Sequence, residues 1–398
     1  MSDCYRFSVP GLDLTFEVDR LRRDCQDLLG ELTVRCGLPG AKTINGCLST
    51  GDFNFSSVRA RQERAKFLAQ RAGTNGKVDW LGLLEDFCQR VFEAERTGDP
   101  FVRLRDLPRP ERGDDIIIHH GLTFPRRHPS IIFGDGGAAK SYTALYLGGL
   151  LAYRGLSIAL FDWELCGEDH RDRYERLFGV EMPESLWYRR CERPLMIEVD
   201  SLRAGVRQHK IDFAIFDSVA FACDGPPEAA EVASRYFRAV REIGVGSLHI
   251  AHVNRSEHAD QKPFGSTFWH NGARSTWFVQ AAESVGDDKT LRLGFFNRKA
   301  NLGPIHRPVG YLVNFSDNRT EYRRVDVADT PELAEKLTIR QRMQHLLKRG
   351  ARTPDEIATA LDVKVDSVRK VVDRDKQGKR QCFLVLEGGR VGLKEQSA

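Results

Sequence analysis

A glycine-rich segment between a short apolar strand and a helix constrains this chain more than any other feature. Residues 130–141 read Ser-Ile-Ile-Phe-Gly-Asp-Gly-Gly-Ala-Ala-Lys-Ser, and a largely apolar stretch from Tyr142 to Tyr153 follows them. Glycines allow backbone N–H groups to turn inward, and the N-terminus of a helix favours negative charge. The order strand, loop, helix is therefore typical of a loop that binds phosphate groups.

The sequence pattern G-x-x-x-x-G-K-[ST] predicts ATP and Mg²⁺ as the ligands of this loop. Lys140 would reach the β- and γ-phosphates, and the Ser141 hydroxyl would hold Mg²⁺. Ala139 replaces the second glycine of the pattern, which costs about 1–2 kcal/mol if its φ must be positive. A glycine-rich turn without a ligand is the alternative. The predicted nucleotide-binding residues are Gly134, Asp135, Gly136, Gly137, Ala138, Ala139, Lys140, Ser141 and Tyr142.

Carboxylates follow two further apolar segments. The run Ile158-Ala159-Leu160-Phe161 precedes Asp162-Trp163-Glu164, and the run Phe213-Ala214-Ile215-Phe216 precedes Asp217. A carboxylate at the end of a strand next to the phosphate loop can act as a general base on water, and Glu164 has the longer reach. Asp217 fits the aspartate that helps to hold Mg²⁺ opposite Ser141. The alternative for Asp162 and Glu164 is a pair of surface acids that cap the next helix.

A fourth strand, Leu248 to Val253, contains a polar side chain, His252, near its end. After an Mg²⁺-binding aspartate, a histidine in this place is positioned to sense the γ-phosphate. A structural role is the equally weighted alternative, because a histidine near a strand often packs in the core.

Taken together, these motifs resemble the RecA/DnaB-type ATPase core, and within it the RepA-like hexameric replicative helicases, over about residues 116–325. The resemblance implies that Glu164 is catalytic, that Asp217 binds the metal and that His252 is the sensor. It also implies a homo-oligomer, a hexamer, in which Arg298 and Lys299 form a basic finger that enters the ATP site of a neighbouring subunit. A basic hairpin turn without this role is the alternative.

The same resemblance implies that loops after the sensor strand bind nucleic acid. Lys262, Phe268, Trp269 and Arg274 are the predicted contacts in this region, because aromatic rings stack on unpaired bases and cations contact phosphates. The alternative is that Phe268 and Trp269 pack inward as part of the core.

The last part of the chain predicts a winged helix-turn-helix. Thr353-Pro354-Asp355-Glu356 reads as a capping box before a helix, a third helix follows near Val365, and two apolar runs flank Gly388-Gly389. From residue 331 onward there are 15 Lys and Arg against 10 Asp and Glu. Lys364, Lys370 and Arg374 are the predicted contacts with DNA, and a protein-docking module is the alternative.

The predicted fold class is α/β. It comprises a helical N-terminal domain (1–105) as a contact for a protein partner, a RecA-like P-loop core with a central, mostly parallel sheet (106–328), and a C-terminal winged helix (333–398). Scattered cysteines without a C-x-x-C pair and the lack of a signal-peptide or membrane-spanning run predict a cytoplasmic protein. The resemblance implies that it comes from a bacterium, plasmid, phage or mobile element. The predicted function is an ATP-hydrolysing, oligomeric ATPase acting on single- or double-stranded DNA, either a helicase-like motor or a replication or recombination factor. The alternative is an ATP-gated DNA-binding regulator, and a small-molecule kinase fits less well.

Overall fold

The structure of the chain is a computed structural model that describes residues 4–73, 76–98, 101–109, 115–118, 121–253, 263, 267–282, 289–378 and 381–394. The chain divides into two compact units, Met1–Arg109 and Pro110–Ala398. The second unit contains both the predicted ATPase core and the C-terminal elements.

The first unit is an antiparallel sheet with two helices, so the prediction of a helical N-terminal domain was wrong. In β2, Leu14, Phe16 and Val18 are buried while the residues between them are not. This period of two is that of a strand with one buried face, and the helical interpretation overlooked it. The two helices themselves were predicted, with Ser57 and Asp79 as their N-caps. The elements are β1 (Cys4–Ser8), β2 (Leu14–Asp24), β3 (Asp27–Cys36), β4 (Cys47–Asn54), α1 (Val58–Ala72) and α2 (Trp80–Thr97), and the sheet order is β1-β2-β3-β4.

The second unit is built on a nine-stranded sheet in the order β15-β14-β13-β12-β7-β11-β10-β8-β9, beside a separate β5–β6 hairpin. Its strands are β5 (Asp115–Ile118), β6 (Leu122–Pro125), β7 (Pro129–Gly134), β8 (Ile158–Asp162), β9 (Leu186–Arg190), β10 (Phe213–Asp217), β11 (Gly246–His252), β12 (Ser275–Ala282), β13 (Thr290–Ala300), β14 (Val309–Phe315) and β15 (Thr320–Val325). Its helices are α3 (Lys140–Tyr153), α4 (Gly167–Phe178), α5 (Leu195–Gln208), α6 (Val219–Ala222), α7 (Ala230–Ile243) and α8 (Thr267–Gly272).

The sheet is mostly parallel, which confirms the predicted fold class. The pairings from β12 through β7, β11, β10 and β8 to β9 are parallel, and those from β12 through β13 and β14 to β15 are antiparallel. Every residue of β8 and of β10 is buried, as expected for strands covered on both faces. In such a sheet the carboxyl ends of neighbouring parallel strands meet at one edge, and polar residues there come together.

The C-terminal elements follow the order predicted from the sequence, three helices and then a hairpin. Thr353 forms the predicted capping box with Glu356. A small core that includes Met343, Ile357 and Val368 lies among these elements. They are α10 (Ile339–Leu347), α11 (Pro354–Leu361), α12 (Val365–Gln377), β16 (Phe383–Val385) and β17 (Val391–Leu393), and a short helix, α9 (Pro331–Ala334), precedes them. We call α10 to β17 the C-terminal module.

Within the described ranges, the helices are too short or too polar to cross a lipid bilayer.

Candidate active site

The glycine-rich loop joins the buried end of β7 to α3 and has the backbone that the sequence requires. Gly134 cannot carry a side chain, because a Cβ there would lie 2.3 Å from the carbonyl oxygen of Val279 on β12. Gly137 has a φ of +78° and Ala139 a φ of 47°. Ala139 therefore adopts the left-handed conformation. Of the negative and positive φ considered from the sequence, this is the strained one.

Lys140 begins α3 and is buried, with 6% of its surface exposed. Its ammonium group donates a hydrogen bond to the carbonyl oxygen of Asp135, at 2.7 Å. Burial lowers the pKa of Lys140, and nearby carboxylates, Asp217 foremost, partly oppose this shift. The lysine thus spans its own loop and is held by one backbone oxygen, which a phosphate oxygen could replace.

Ser141 and Asp217 meet across the site, as the sequence predicted. The Ser141 hydroxyl donates to Oδ1 of Asp217 at 3.1 Å. Asp217 is 1% exposed at the carboxyl end of β10. Burial raises the pKa of Asp217 to about 6, and the hydrogen bond from Ser141 offsets only part of that effect. A buried carboxylate whose pKa is raised in this way is suited to a cation.

Asp162 organises the loop that carries Glu164, a role the sequence analysis did not assign. Its Oδ1 accepts hydrogen bonds from the backbone N–H groups of Glu164 and Leu165, both at 2.9 Å. Its Oδ2 accepts from the Tyr188 hydroxyl at 3.0 Å and lies 3.5 Å from Nε2 of His170. Burial alone would raise the pKa of Asp162, but His170 and the backbone N–H groups outweigh it and lower the pKa to about 2.

Glu164 lies beyond the end of β8, is exposed, and faces a cavity of about 400 Å³ that it shares with the phosphate loop. The backbone ties this segment to the metal-site strand, since the N–H of Trp163 donates to the carbonyl oxygen of Asp217 at 2.7 Å. The cavity therefore joins the predicted phosphate and catalytic groups. The residues lining it are Gly136, Gly137, Ala139, Lys140, Ser141, Tyr142, Glu164, Leu165, Arg173, Ile250, His252, Leu291 and Phe315.

One wall of the cavity is aromatic and was not predicted beyond Tyr142. The Tyr142 ring meets Phe315 edge-on, with ring centroids 5.5 Å apart. On another side the Arg173 guanidinium lies 5.0 Å from the centre of the same ring. Phe315 is distant in sequence and Arg173 is one of many charged residues on α4, so no local motif marks either of them.

His252 ends β11 and lines the same cavity. In the parallel pairing of β11 with β7, His252 lies beside Gly134, the first residue of the glycine-rich loop. The structure thus brings the predicted sensor next to the predicted phosphate site.

Arg298 and Lys299 do not join this site within one chain. Lys299 pairs with Thr276, which lies level with Ile131 near the amino end of β7, away from the loop. Its ammonium group donates to the carbonyl oxygen of His270, at 2.7 Å. Arg298 packs against two phenylalanine rings, 5.5 and 5.6 Å from their centres. A role for either residue in ATP hydrolysis thus requires a second copy of the chain.

The residues near α8 that were predicted to contact nucleic acid differ in their exposure to solvent. Trp269 is 1% exposed and its Nε1 donates to the carbonyl oxygen of Pro227. Its prediction as a stacking residue was therefore wrong, because the ring fills the core. Phe268 is 48% exposed and Arg274 is exposed. Lys262 lies outside the described residues.

The three basic residues predicted on the third helix of the C-terminal module are all exposed. Lys364 precedes α12 as its N-cap, and Lys370 and Arg374 lie on the helix itself. Their exposure leaves them available to a polyanion, and their role in DNA binding stays a prediction.

Comparisons with known proteins give little further information. No family model matches the chain, and no curated protein matches it. Among solved structures, a KaiC-like protein from Pyrococcus horikoshii is similar at 16% identity and a TM-score of 0.40, over 50% of this chain and 91% of that chain. The flagellar accessory protein FlaH from Methanocaldococcus jannaschii is similar at 13% identity and a TM-score of 0.38, over 50% and 91%. Values this low support no statement about activity.

Replacing Ala139 by glycine tests the strain in the loop. An alanine in the left-handed conformation costs about 1–2 kcal/mol, and glycine would remove that strain. Glycine also loses more conformational entropy on folding, which costs roughly 0.5–1 kcal/mol. We therefore expect Ala139→Gly to keep or slightly raise the free energy of unfolding. Ala138 is buried and lacks a positive φ, so the matched Ala138→Gly change should destabilise the protein. Urea denaturation measures both. If the free energy of unfolding fell equally in the two variants, the positive φ assigned to Ala139 would be contradicted.

Replacing Asp217 by asparagine tests the raised pKa of this buried carboxylate. With its pKa raised from 3.8 to about 6, the folded protein binds this proton more tightly than the unfolded chain, so stability should fall as pH rises from about 4 to 6. We expect Asp217→Asn to remove that fall and to raise the free energy of unfolding at pH 7 by roughly 2–3 kcal/mol. The control is Asp317→Asn, whose side chain is 89% exposed. An unchanged pH profile in Asp217→Asn would show that Asp217 is not the group responsible.

Proposed function

We propose that this chain is an ATP-hydrolysing P-loop enzyme of RecA-like architecture that acts on nucleic acid as an oligomer. The observation that carries the ATPase proposal is the shared cavity, in which Lys140, Ser141, Glu164 and His252 line one space. Few other activities need a buried lysine, a hydroxyl bonded to a buried carboxylate and an exposed glutamate in one cavity beside a glycine-rich loop.

The phosphate groups would be held by the chain's own donors. Lys140 would exchange the Asp135 carbonyl for oxygens of the β- and γ-phosphates, at little cost because its ammonium already points across the loop. Ser141 and Asp217 would hold Mg²⁺, which supplies positive charge against the phosphates when bound. The donor set fits such an ion, since a hydroxyl and a carboxylate oxygen already lie 3.1 Å apart.

Glu164 would orient the attacking water and accept its proton. Asp162 fixes the backbone beneath it through two N–H groups, so the exposed carboxylate is presented from a rigid turn. Tyr142, Arg173 and Phe315 form the part of the cavity suited to the nucleotide base, because aromatic faces and a guanidinium stack on such rings.

Assembly into an oligomer would bring a basic finger from a neighbouring subunit to this site. The resemblance to the RepA-like helicases implies that this oligomer is a hexamer. Arg298 and Lys299 lie away from the phosphate loop of their own chain, so we assign any action on ATP to a neighbouring copy. A cation supplied in this way would couple hydrolysis to assembly.

The C-terminal module supports an action on DNA, because its three helices and hairpin have the order of elements in a winged helix. The same observation favours a second candidate, an ATP-gated DNA-binding regulator that does not separate strands. Both candidates use the same ATP site, and they differ in what hydrolysis accomplishes.

The ATP site is tested by separating binding from turnover. We expect Glu164→Gln to lower kcat by about 10²–10⁴ because the base is lost, while the Kd for a fluorescent ATP analogue changes little. Lys140→Ala should lose both binding and turnover. The matched control is Glu168→Gln, an exposed glutamate on the next helix, which should hydrolyse ATP normally. Full ATPase activity in Lys140→Ala would refute the proposal.

A strand-displacement assay on forked DNA separates the motor from the regulator. The motor should displace the labelled strand with ATP and not in the Glu164→Gln variant, because unwinding requires hydrolysis. Selective duplex binding without displacement, under conditions where ATP is hydrolysed, would favour the regulator.

A further inference from the structure

A cleft of about 610 Å³ lies between the large sheet and the C-terminal module. The sheet contributes the segment before β14 and the end of β15, and the module contributes α10 and the ends of its hairpin. Phe315, at one end of β14, lines the candidate active site, whereas Arg307 and Pro308, which precede that strand, line the cleft. Seven residues of strand span roughly 20 Å, so the cleft is separate from the ATP site.

The cleft is strongly basic. Among the described residues that line it, four are lysine or arginine and one is a carboxylate, Asp326. Lys348 and His345 are already paired with Asp326, at 2.8 and 3.3 Å. The positive charge of Arg307, Arg324 and Lys394 thus exceeds what this one carboxylate can balance. Such an excess within one concave surface attracts polyanions.

Two of these cations, Arg324 and Lys348, are also held in place. Arg324 is half-buried, donates to the carbonyl oxygen of Gly310 at 2.9 Å and packs over the Tyr311 ring. The ion pair between Lys348 and Asp326 joins α10 to the segment after β15. Arg307 and Lys394 are exposed and come from opposite walls, the sheet and the hairpin. Fixed cations on two walls suit a ligand that carries several negative groups along its length.

We propose that this cleft binds the phosphodiester backbone of nucleic acid, gripping it between the ATPase sheet and the C-terminal module. The proposal rests on the nucleic-acid role proposed above and adds where the strand lies. The placement of the cations favours a polymer, since phosphate groups that repeat along a backbone can meet basic residues on both walls of the cleft. A strand held by both walls would also connect the module to β14, whose other end carries Phe315 in the ATP site.

The test is binding of a fluorescein-labelled 20-nucleotide DNA, single-stranded and duplex, to the full chain at several salt concentrations. We expect the double variant Arg307→Glu/Lys394→Glu to bind at least ~10-fold more weakly and to show a salt-dependence slope smaller by about 2, one unit for each phosphate contact. The matched control is Arg238→Glu/Arg241→Glu, two exposed arginines on α7 with the same change in net charge. It should weaken binding far less.

A second variant guards against simple misfolding. Asp326→Asn removes the carboxylate found among the described lining residues, so we expect the DNA to bind a few-fold more tightly, about 2- to 5-fold, because cations are released for phosphate. A gain in affinity is not a result that unfolding produces.

The outcomes separate the two proposals. If the wild-type chain binds neither DNA form, the nucleic-acid role itself fails. If the wild-type chain binds but the cleft variant matches the control, the cleft proposal is overturned and the general role stands. Pyrophosphate serves as the small-anion probe: if the cleft variant loses affinity for pyrophosphate alone and keeps its affinity for DNA, the cleft is a small-anion site and the proposal is wrong.

Discussion

Two aspartates lie side by side at the carboxyl ends of neighbouring strands, and the candidate active site depends on the difference between their surroundings. Asp162 and Asp217 are partners in the register of β8 with β10. Both are buried, at 0% and 1% exposure. Asp162 is surrounded by donors and its pKa is lowered to about 2, whereas the pKa of Asp217 is raised to about 6. Asp162 thus serves the structure of the loop, whereas Asp217 is the carboxylate that would hold Mg²⁺ in the proposed function.

This contrast assigns different tasks to two groups that look alike in the sequence. Asp162 accepts hydrogen bonds from the backbone of the loop that carries Glu164. Asp217 accepts a hydrogen bond from Ser141 and, in the proposed function, would use its charge to hold Mg²⁺. A hydrogen bond from Trp163 to the carbonyl oxygen of Asp217 joins the two strand ends. Burial of the Asp217 carboxylate therefore lowers the stability of the protein, and the same burial would favour the binding of Mg²⁺. Such a conflict between stability and function is common at functional sites.

The sequence predicted those parts of the site that local patterns mark. Asp217 and Glu164 come after apolar runs at strand ends, and Lys140 and Ser141 follow the glycine-rich loop at the end of another strand. Parallel pairing brings such ends together. Residues that join the site through distant pairing, such as Phe315 on β14, carry no such mark.

The errors have equally local causes. In the N-terminal unit the alternation in β2 was outweighed by the two clear helices that follow it in the sequence. Trp269 was assigned to nucleic acid because it lies beside Phe268 in a segment with cations, yet its ring lies in the core while the Phe268 ring is exposed. Which face of a short helix is buried depends on what packs against it, here Pro227 and its neighbours, and a single sequence does not contain that information.

The carboxyl ¹³C resonance of Asp217, titrated by NMR with and without Mg²⁺ and a non-hydrolysable ATP analogue, tests the central claim most directly. We expect the free protein to titrate near pH 6, where burial places the pKa of Asp217. With the metal and nucleotide bound, the group should stay ionised to well below that pH, because a cation favours the charged form. A free-protein pKa near the usual 3.8, or a titration that Mg²⁺ and the analogue leave unchanged, would contradict the account.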